Sequence, residues 1–138
     1  MLAAGPSGAF TARHRLRQRA LLIAGGSGIA PVRALLDDLP AYTVLLFRAR
    51  SEAELTFRAE LDELADRRGV QVWYVLGSRD DPGPRRAFSP AGLRELVPDV
   101  HRRDVYLCGP DGLIGASLAA LRRLGGPRRQ IHLDPFEF

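Results

Sequence analysis

Leu21-Leu22-Ile23-Ala24-Gly25-Gly26-Ser27-Gly28-Ile29-Ala30-Pro31 is the stretch whose reading decides the fold. An apolar run stops at three glycines within four positions and restarts at a proline, which spells strand, tight turn, helix. Glycine accepts positive φ and has no Cβ to obstruct a ligand approaching the backbone. Proline suits the first turn of a helix, where its missing N–H is not needed. Free N–H groups and the positive end of the helix dipole then converge, and together they favour an anion. A bare Gly-x-Gly is also a common plain turn. The flanking strand and helix move the reading toward a nucleotide phosphate.

On either side of this junction, apolar runs alternate with helical patterns. Residues 20–24 read as the first strand, and residues 28–39 as a helix with Ile29, Val32, Leu35, Leu36 and Leu39 at spacings of three and four, stopped by Pro40. Residues 43–47 read as a second strand, and residues 52–68 as one long amphipathic helix carrying Leu55, Ala59, Leu61, Leu64 and Ala65 near one face. Gly69 caps that helix, and Arg67 and Arg68 complement its dipole. Residues 70–76 read as a third strand. Residues 77–88, rich in proline, glycine and charge, read as a loop. Ser89-Pro90 then opens a short helix to about Val97 with serine as cap. Residues 104–108 read as a fourth strand, 109–112 as a second glycine-rich turn, 113–124 as a helix ended by Gly125-Gly126-Pro127, and 130–133 as a fifth strand.

Strands apolar on both faces and alternating with helices imply an α/β fold with a parallel sheet covered on both sides. Right-handed crossovers make it a doubly wound five-stranded sheet, most simply in the order 3-2-1-4-5. The switch point then lies between the first and fourth strands. It brings the Gly25–Pro31 turn beside Cys108-Gly109-Pro110 at the carboxyl edge, where ligands bind in such sheets.

Composition bounds the reading. The 138 residues suit one domain, and 46% hydrophobic with 26% charged residues is a globular balance. No apolar run approaches the length of a membrane span, and no secretory leader is evident, so a cytoplasmic setting is expected. One cysteine excludes an internal disulfide and suits a reducing compartment. The net charge of +4 rests on arginine, since all 20 basic residues are arginine. Guanidinium favours planar partners such as phosphates and carboxylates. Charge alone does not choose among nucleic acid, dinucleotide and acidic protein. The run Arg13-His14-Arg15-Leu16-Arg17-Gln18-Arg19 lacks interleaved aromatics and reads as a solvated connector, so no nucleic-acid role is assigned.

The turn departs from the common dinucleotide fingerprint in two ways. Pro31 stands where the third glycine belongs, and Phe47-Arg48-Ala49-Arg50 offers no acid until Glu52 where a ribose-binding carboxylate is expected. A Rossmann dehydrogenase of the usual kind is therefore disfavoured. A P-loop is excluded because no Gly-Lys-Ser/Thr follows. His14, His101 and His132 with a single cysteine make no metal set. Trp73 and Tyr106 read as strand packing.

Gly5-Pro6-x-Gly8-x-Phe10, Gly25-Gly26-x-Gly28-Ile29-x-Pro31 and Tyr106-x-Cys108-Gly109-Pro110, in this order and spacing, resemble the ferredoxin-NADP reductase superfamily, specifically its ferric-reductase-like and NADPH-oxidase-like branch. The resemblance covers essentially the whole chain. It implies residues 1–19 as the end of a flavin-binding barrel plus a basic linker, and residues 20–138 as an NAD(P)-binding domain. The barrel's own flavin motif is not in this sequence, so the chain alone is expected to hold no flavin firmly. The implied activity is hydride transfer from NADPH or NADH to FAD in a longer parent, then one-electron transfer to a haem, ferric or iron–sulfur acceptor. A membrane haem domain upstream is a further implied partner, which would place the parent on the cytoplasmic face of a membrane. The competing expectation is a stand-alone, non-catalytic nucleotide-binding or regulatory module.

Site residues follow from the same resemblance. Gly25, Gly26, Ser27, Gly28, Ile29 and Pro31 form the pyrophosphate turn. Cys108 would align the nicotinamide with the flavin, with Gly109, Pro110 and Asp111 shaping the wall; its plain alternative is a small buried apolar residue. Ser78 and Arg79 would grip a 2'-phosphate, assisted by Arg48 or Arg50, which tilts the reading to NADPH; Asp80 and Asp81 argue against it. Asp134-Pro135-Phe136-Glu137-Phe138 resembles the family's acid-x-aromatic ending, in which Phe136 or Phe138 would stack on the flavin.

Overall fold

The computed structural model describes residues 19–39, 42–126 and 128–133. The Gly5–Phe10 motif, most of the basic run, Pro40, Pro127 and the aromatic ending lie outside the described residues. Five strands, β1 (Arg19–Gly25), β2 (Val44–Ala49), β3 (Gln71–Leu76), β4 (Arg103–Cys108) and β5 (Ile131–Leu133), form one sheet in the order β3-β2-β1-β4-β5. Every pairing is parallel, as the alternation of strands and helices requires.

Two apolar layers sandwich the sheet. Ala20, Leu22 and Ala24 of β1 meet helices α1 (Ile29–Leu36) and α2 (Arg58–Arg68) on one face. Leu21 and Ile23 meet α3 (Pro82–Ala87), α4 (Pro90–Leu96) and α5 (Asp111–Arg123) on the other. β1 is therefore buried on both sides, and all five apolar positions expected of the first helix are buried. The edge strand β3 is different: Trp73 and Leu76 remain exposed by 39% and 37%, because no strand flanks it.

Two local readings are corrected. Residues 52–68 are not one helix: a single 3-10 turn spans Glu52–Glu54, and α2 starts only at Arg58. Between them Phe57 adopts φ 62°, a left-handed conformation that breaks a helix in any L-residue other than glycine at a cost. Leu55, Leu61 and Leu64 are buried on the sheet, whereas Ala59 is exposed. Residues 77–88 are not all loop: Pro82–Ala87 forms α3, with proline at its first position. Two prolines and a glycine suggested irregular chain, yet a proline in the first turn gives up no hydrogen bond. The Ser89 reading stands, since its hydroxyl accepts from Gly92 N at 3.1 Å and begins α4.

The amino edge of the sheet is fastened by Arg103. Its guanidinium donates to the Ala20 carbonyl at 2.8 Å, the Tyr42 carbonyl at 3.0 Å and Asp99 at 2.7 Å. Burial pushes the Asp99 carboxyl up, but hydrogen bonds from Arg103 and Arg19 outweigh it and hold the group below the usual carboxylate range.

Candidate functional site

The site begins with register. Ala24 pairs with Cys108 and Gly25 with Arg48, so the chain leaves β1 between the ends of β4 and β2. It turns through a 3-10 segment, Gly26–Gly28, into α1. Gly26 takes φ +56°, and among the described residues no atom beyond its chain neighbours lies within 4 Å of where its Cβ would be. That position faces open space, so glycine is needed there for its backbone and leaves room beside it.

Gly28 has a different reason to be glycine. Its φ is −63°, which any residue accepts, but a Cβ there would lie 2.2 Å from the Cys108 carbonyl oxygen. The absent side chain lets the start of α1 sit on the end of β4. Ile29 is likewise buried, and its N–H bonds back to the carbonyls of Gly26 and Ser27. Of the expected phosphate turn, then, Gly26 and Ser27 are exposed, Pro31 is half-buried in the first turn of α1, and Gly25, Gly28 and Ile29 form the layer behind.

Gly26 and Ser27 form one wall of a cleft of about 700 Å³ at the carboxyl edge. Arg48, Ala49 and Arg50 line it from β2 and the residue after it, Arg79 from the turn after β3, and Pro110, Gly112 and Leu113 from the start of α5. The topology thus brings together six residues read from sequence as nucleotide-binding: Gly26, Ser27, Arg48, Arg50, Arg79 and Pro110. A smaller chamber of about 190 Å³ opens beside it, sharing Arg48, Arg79, Gly112 and Leu113 and bounded by Arg85 and Phe88.

The cleft gathers three arginines, and its electrostatics follow from how they are held. Arg19, Arg33, Arg58, Arg67, Arg86 and Arg103 each meet a carboxylate. Among the described residues, the guanidiniums of Arg48, Arg50 and Arg79 meet none. Arg48 is half-buried, and its Nε is buried without a hydrogen-bond partner among the described residues. Buried polar groups are normally paired, so an orphan N–H in a cleft is a donor set for something else. Arg79 lies against the first turn of α5, where a Cβ at Gly112 would come within 3.1 Å of its Nη1. Three cationic groups and an exposed glycine turn around one cavity suit a ligand with several anionic oxygens.

Among the described residues, the remaining predicted ones sit around this cleft and not on its lining; Phe136 and Phe138 lie outside the described residues. Cys108 is 1% exposed at the end of β4, beneath the Gly28 contact. Gly109 packs against the backbone of Gly25, and Asp111 is exposed at the head of α5. Ser78 is exposed, and its N–H donates to Asp81 Oδ2 at 2.7 Å, so Asp81 shapes the turn that presents Arg79.

Sequence reasoning missed Ala49, Glu54, Thr56, Gly112 and Leu113 on the lining. Glu54 is the informative one: its Oε1 accepts from Arg50 N at 3.1 Å, so the acid folds back on the end of β2. The dinucleotide fingerprint places its acid nearer the strand, and the 3-10 turn that returns Glu54 carries no apolar periodicity.

The family model for the oxidoreductase NAD-binding domain matches residues 22–118. The chain is 32% identical to the reductase component of propane 2-monooxygenase from Rhodococcus jostii, over 96% of its length and 39% of the relative. It is 30% identical to ferredoxin–NADP reductase B from Sorangium cellulosum, over 98% of its length and 61% of the relative. Among solved structures, the FAD/NAD-binding domain of nitric oxide dioxygenase from Vibrio cholerae superposes with a TM-score of 0.70 at 31% identity, covering 87% of this chain and 51% of that one. The chain spans between about two fifths and three fifths of the two curated relatives. These relatives do not single out a ferric-reductase-like branch.

Proposed function

Since this chain belongs to the oxidoreductase NAD-binding domain family, within the ferredoxin-NADP reductase superfamily, we propose that its carboxyl-edge cleft binds NADPH or NADH for a flavoprotein reductase. The observation that carries the reading is the meeting of the Gly26-Ser27 turn with three carboxylate-free arginines, one of which, Arg48, has an orphaned buried Nε. Held by these residues, the nicotinamide would supply a hydride to the FAD of a companion domain, for onward one-electron transfer to a haem, ferric or iron–sulfur acceptor.

The chain's own part is binding and orientation. Gly26 and Ser27 present main chain to the pyrophosphate, and Arg48 neutralises it from the end of β2. Arg79, aided by Ser78 and by Arg50, reads a 2'-phosphate, so NADPH is the preferred form. Cys108, Gly109 and Pro110 shape the nicotinamide end, with Cys108 as a positioning residue because its carbonyl seats Gly28. Phe136 or Phe138 covers the flavin in the longer parent. Residues 1–19 close a flavin barrel there, and a membrane haem domain is the upstream partner that would bring the parent to the cytoplasmic face of a membrane. No helix among the described residues is itself long and apolar enough to cross one.

Calorimetric titration with NADPH, NADH and 2'-phospho-AMP tests the assignment. A charge-assisted hydrogen bond contributes about 1.5–3 kcal/mol, roughly ten- to a hundredfold in affinity. Arg48→Met is expected to weaken all three ligands by about that factor. Arg79→Ala is expected to weaken the two phosphorylated at the 2' position while changing NADH by less than about threefold. Equal losses for NADPH and NADH in the Arg79 variant contradict the specificity assignment, and unchanged affinity in the Arg48 variant contradicts the site.

A further inference from the structure

The amino edge of the sheet, opposite the nucleotide cleft, gathers exposed cations that the proposed function does not use. Arg122 and Arg123 end α5, Arg129 lies in the 3-10 turn Arg128–Gln130 that follows, and His101 and Arg102 lie in the 3-10 turn Val100–Arg102 before β4. The segments are tied together, because Gln130 Nε2 donates to the His101 carbonyl at 3.2 Å and to the Arg103 carbonyl at 2.9 Å. Among the described residues, none of these four arginines meets a carboxylate. Beside Arg102, Asp99 is engaged by Arg103 and Arg19, and Asp104 by the buried His132 at 3.1 Å; the exposed Asp38 and Asp66 lie toward the other end of the edge, at the ends of α1 and α2.

One further observation extends the patch. Tyr42, at the amino edge because its carbonyl accepts from Arg103, is 71% exposed and held at φ 68°. A bulky residue fixed in a left-handed conformation with its ring in solvent is not explained by packing, and such outliers concentrate at functional surfaces.

We propose that this edge docks on an anionic phospholipid surface. Arginine forks bind phosphate, clusters of four to eight basic residues beside an interfacial aromatic are what an acidic leaflet attracts, and tyrosine settles at the headgroup level. The cations come from separate segments with no common groove, which suits a diffuse planar charge better than the fixed apolar centre and polar rim of a protein partner. The 13 residues of α5 hold this edge about 20 Å from the cleft, so docking leaves the nucleotide entrance clear.

Sedimentation of the full chain with vesicles tests this. Capture by mixed phosphatidylserine–phosphatidylcholine vesicles, absent with phosphatidylcholine alone and lost between about 50 and about 500 mM salt, is the expected result. Arg122→Glu with Arg123→Glu should reduce capture at least about tenfold, whereas the charge-matched pair Arg58→Glu with Arg86→Glu should reduce it far less. Arg122→Gln with Arg123→Gln gives the milder variant, and an unchanged melting temperature shows that either pair folds. Equal capture by neutral vesicles, equal loss in the control pair, or capture by polyuridylate or polyglutamate but not by vesicles overturns the proposal.

Discussion

Gly26 and Gly28 look alike in sequence and do different things. A Cβ at Gly28 would collide with the Cys108 carbonyl, so Gly28→Ala is expected to cost about 1–3 kcal/mol, a fall of several degrees in melting temperature without any ligand. Gly26→Ala meets only the left-handed backbone, at roughly 1 kcal/mol, but places its methyl in the cleft. Nucleotide affinity should therefore fall out of proportion to stability at Gly26, and with stability at Gly28. Paired melts and titrations separate the two, and reversed behaviour would contradict the assignment of the turn. Ser117 makes a third residue-scale case: it is fully buried on α5, and its hydroxyl has no partner among the described residues. Alanine is the better helix former and leaves no orphan group, so Ser117→Ala should leave stability unchanged or raise it by about 1 kcal/mol. A lower melting temperature would show that the hydroxyl is engaged.

At the scale of elements, the Asp99 link between the start of β1 and the start of β4 has a pH signature. Its carboxyl is held below the ordinary range in the folded chain, so the link contributes fully above the unfolded value of about 3.9 and is lost as pH falls through the depressed folded value. Asp99→Asn should lower stability at neutral pH and flatten its decline below about pH 4, measured by urea midpoints across that range. An undiminished acid decline in the variant would assign it to other carboxylates. The elements themselves were unevenly legible. β1, β2, β4 and α1 were plain because they are buried on consistent faces, and that regularity is what a periodic pattern records. The break at Phe57 was not, because a left-handed residue is set by how α2 must return to the sheet rather than by Phe57's own preference. The helix α3 was hidden by its prolines, although their placement in a first turn is permissive.

For the whole molecule, the strand order is the simplest that alternation and handedness allow, and it sets the cleft at the carboxyl ends of β1 and β2, faced by the start of α5 after β4. Arg48, Arg50 and Arg79 lie on separate segments, and the sheet order is what brings them to one cavity. Which turn residues reach that cavity was not legible, because the burial of Gly28 and Ile29 depends on how closely α1 approaches β4. The most direct measurement of the central claim is a titration of the isotopically labelled chain with NADPH, followed by backbone amide shifts. The account predicts saturable shifts clustered at Gly26, Ser27, Arg48, Arg50, Arg79 and Gly112, with the amino edge around Arg102 and Arg123 unmoved. Shifts centred elsewhere, or none at millimolar nucleotide, would contradict it.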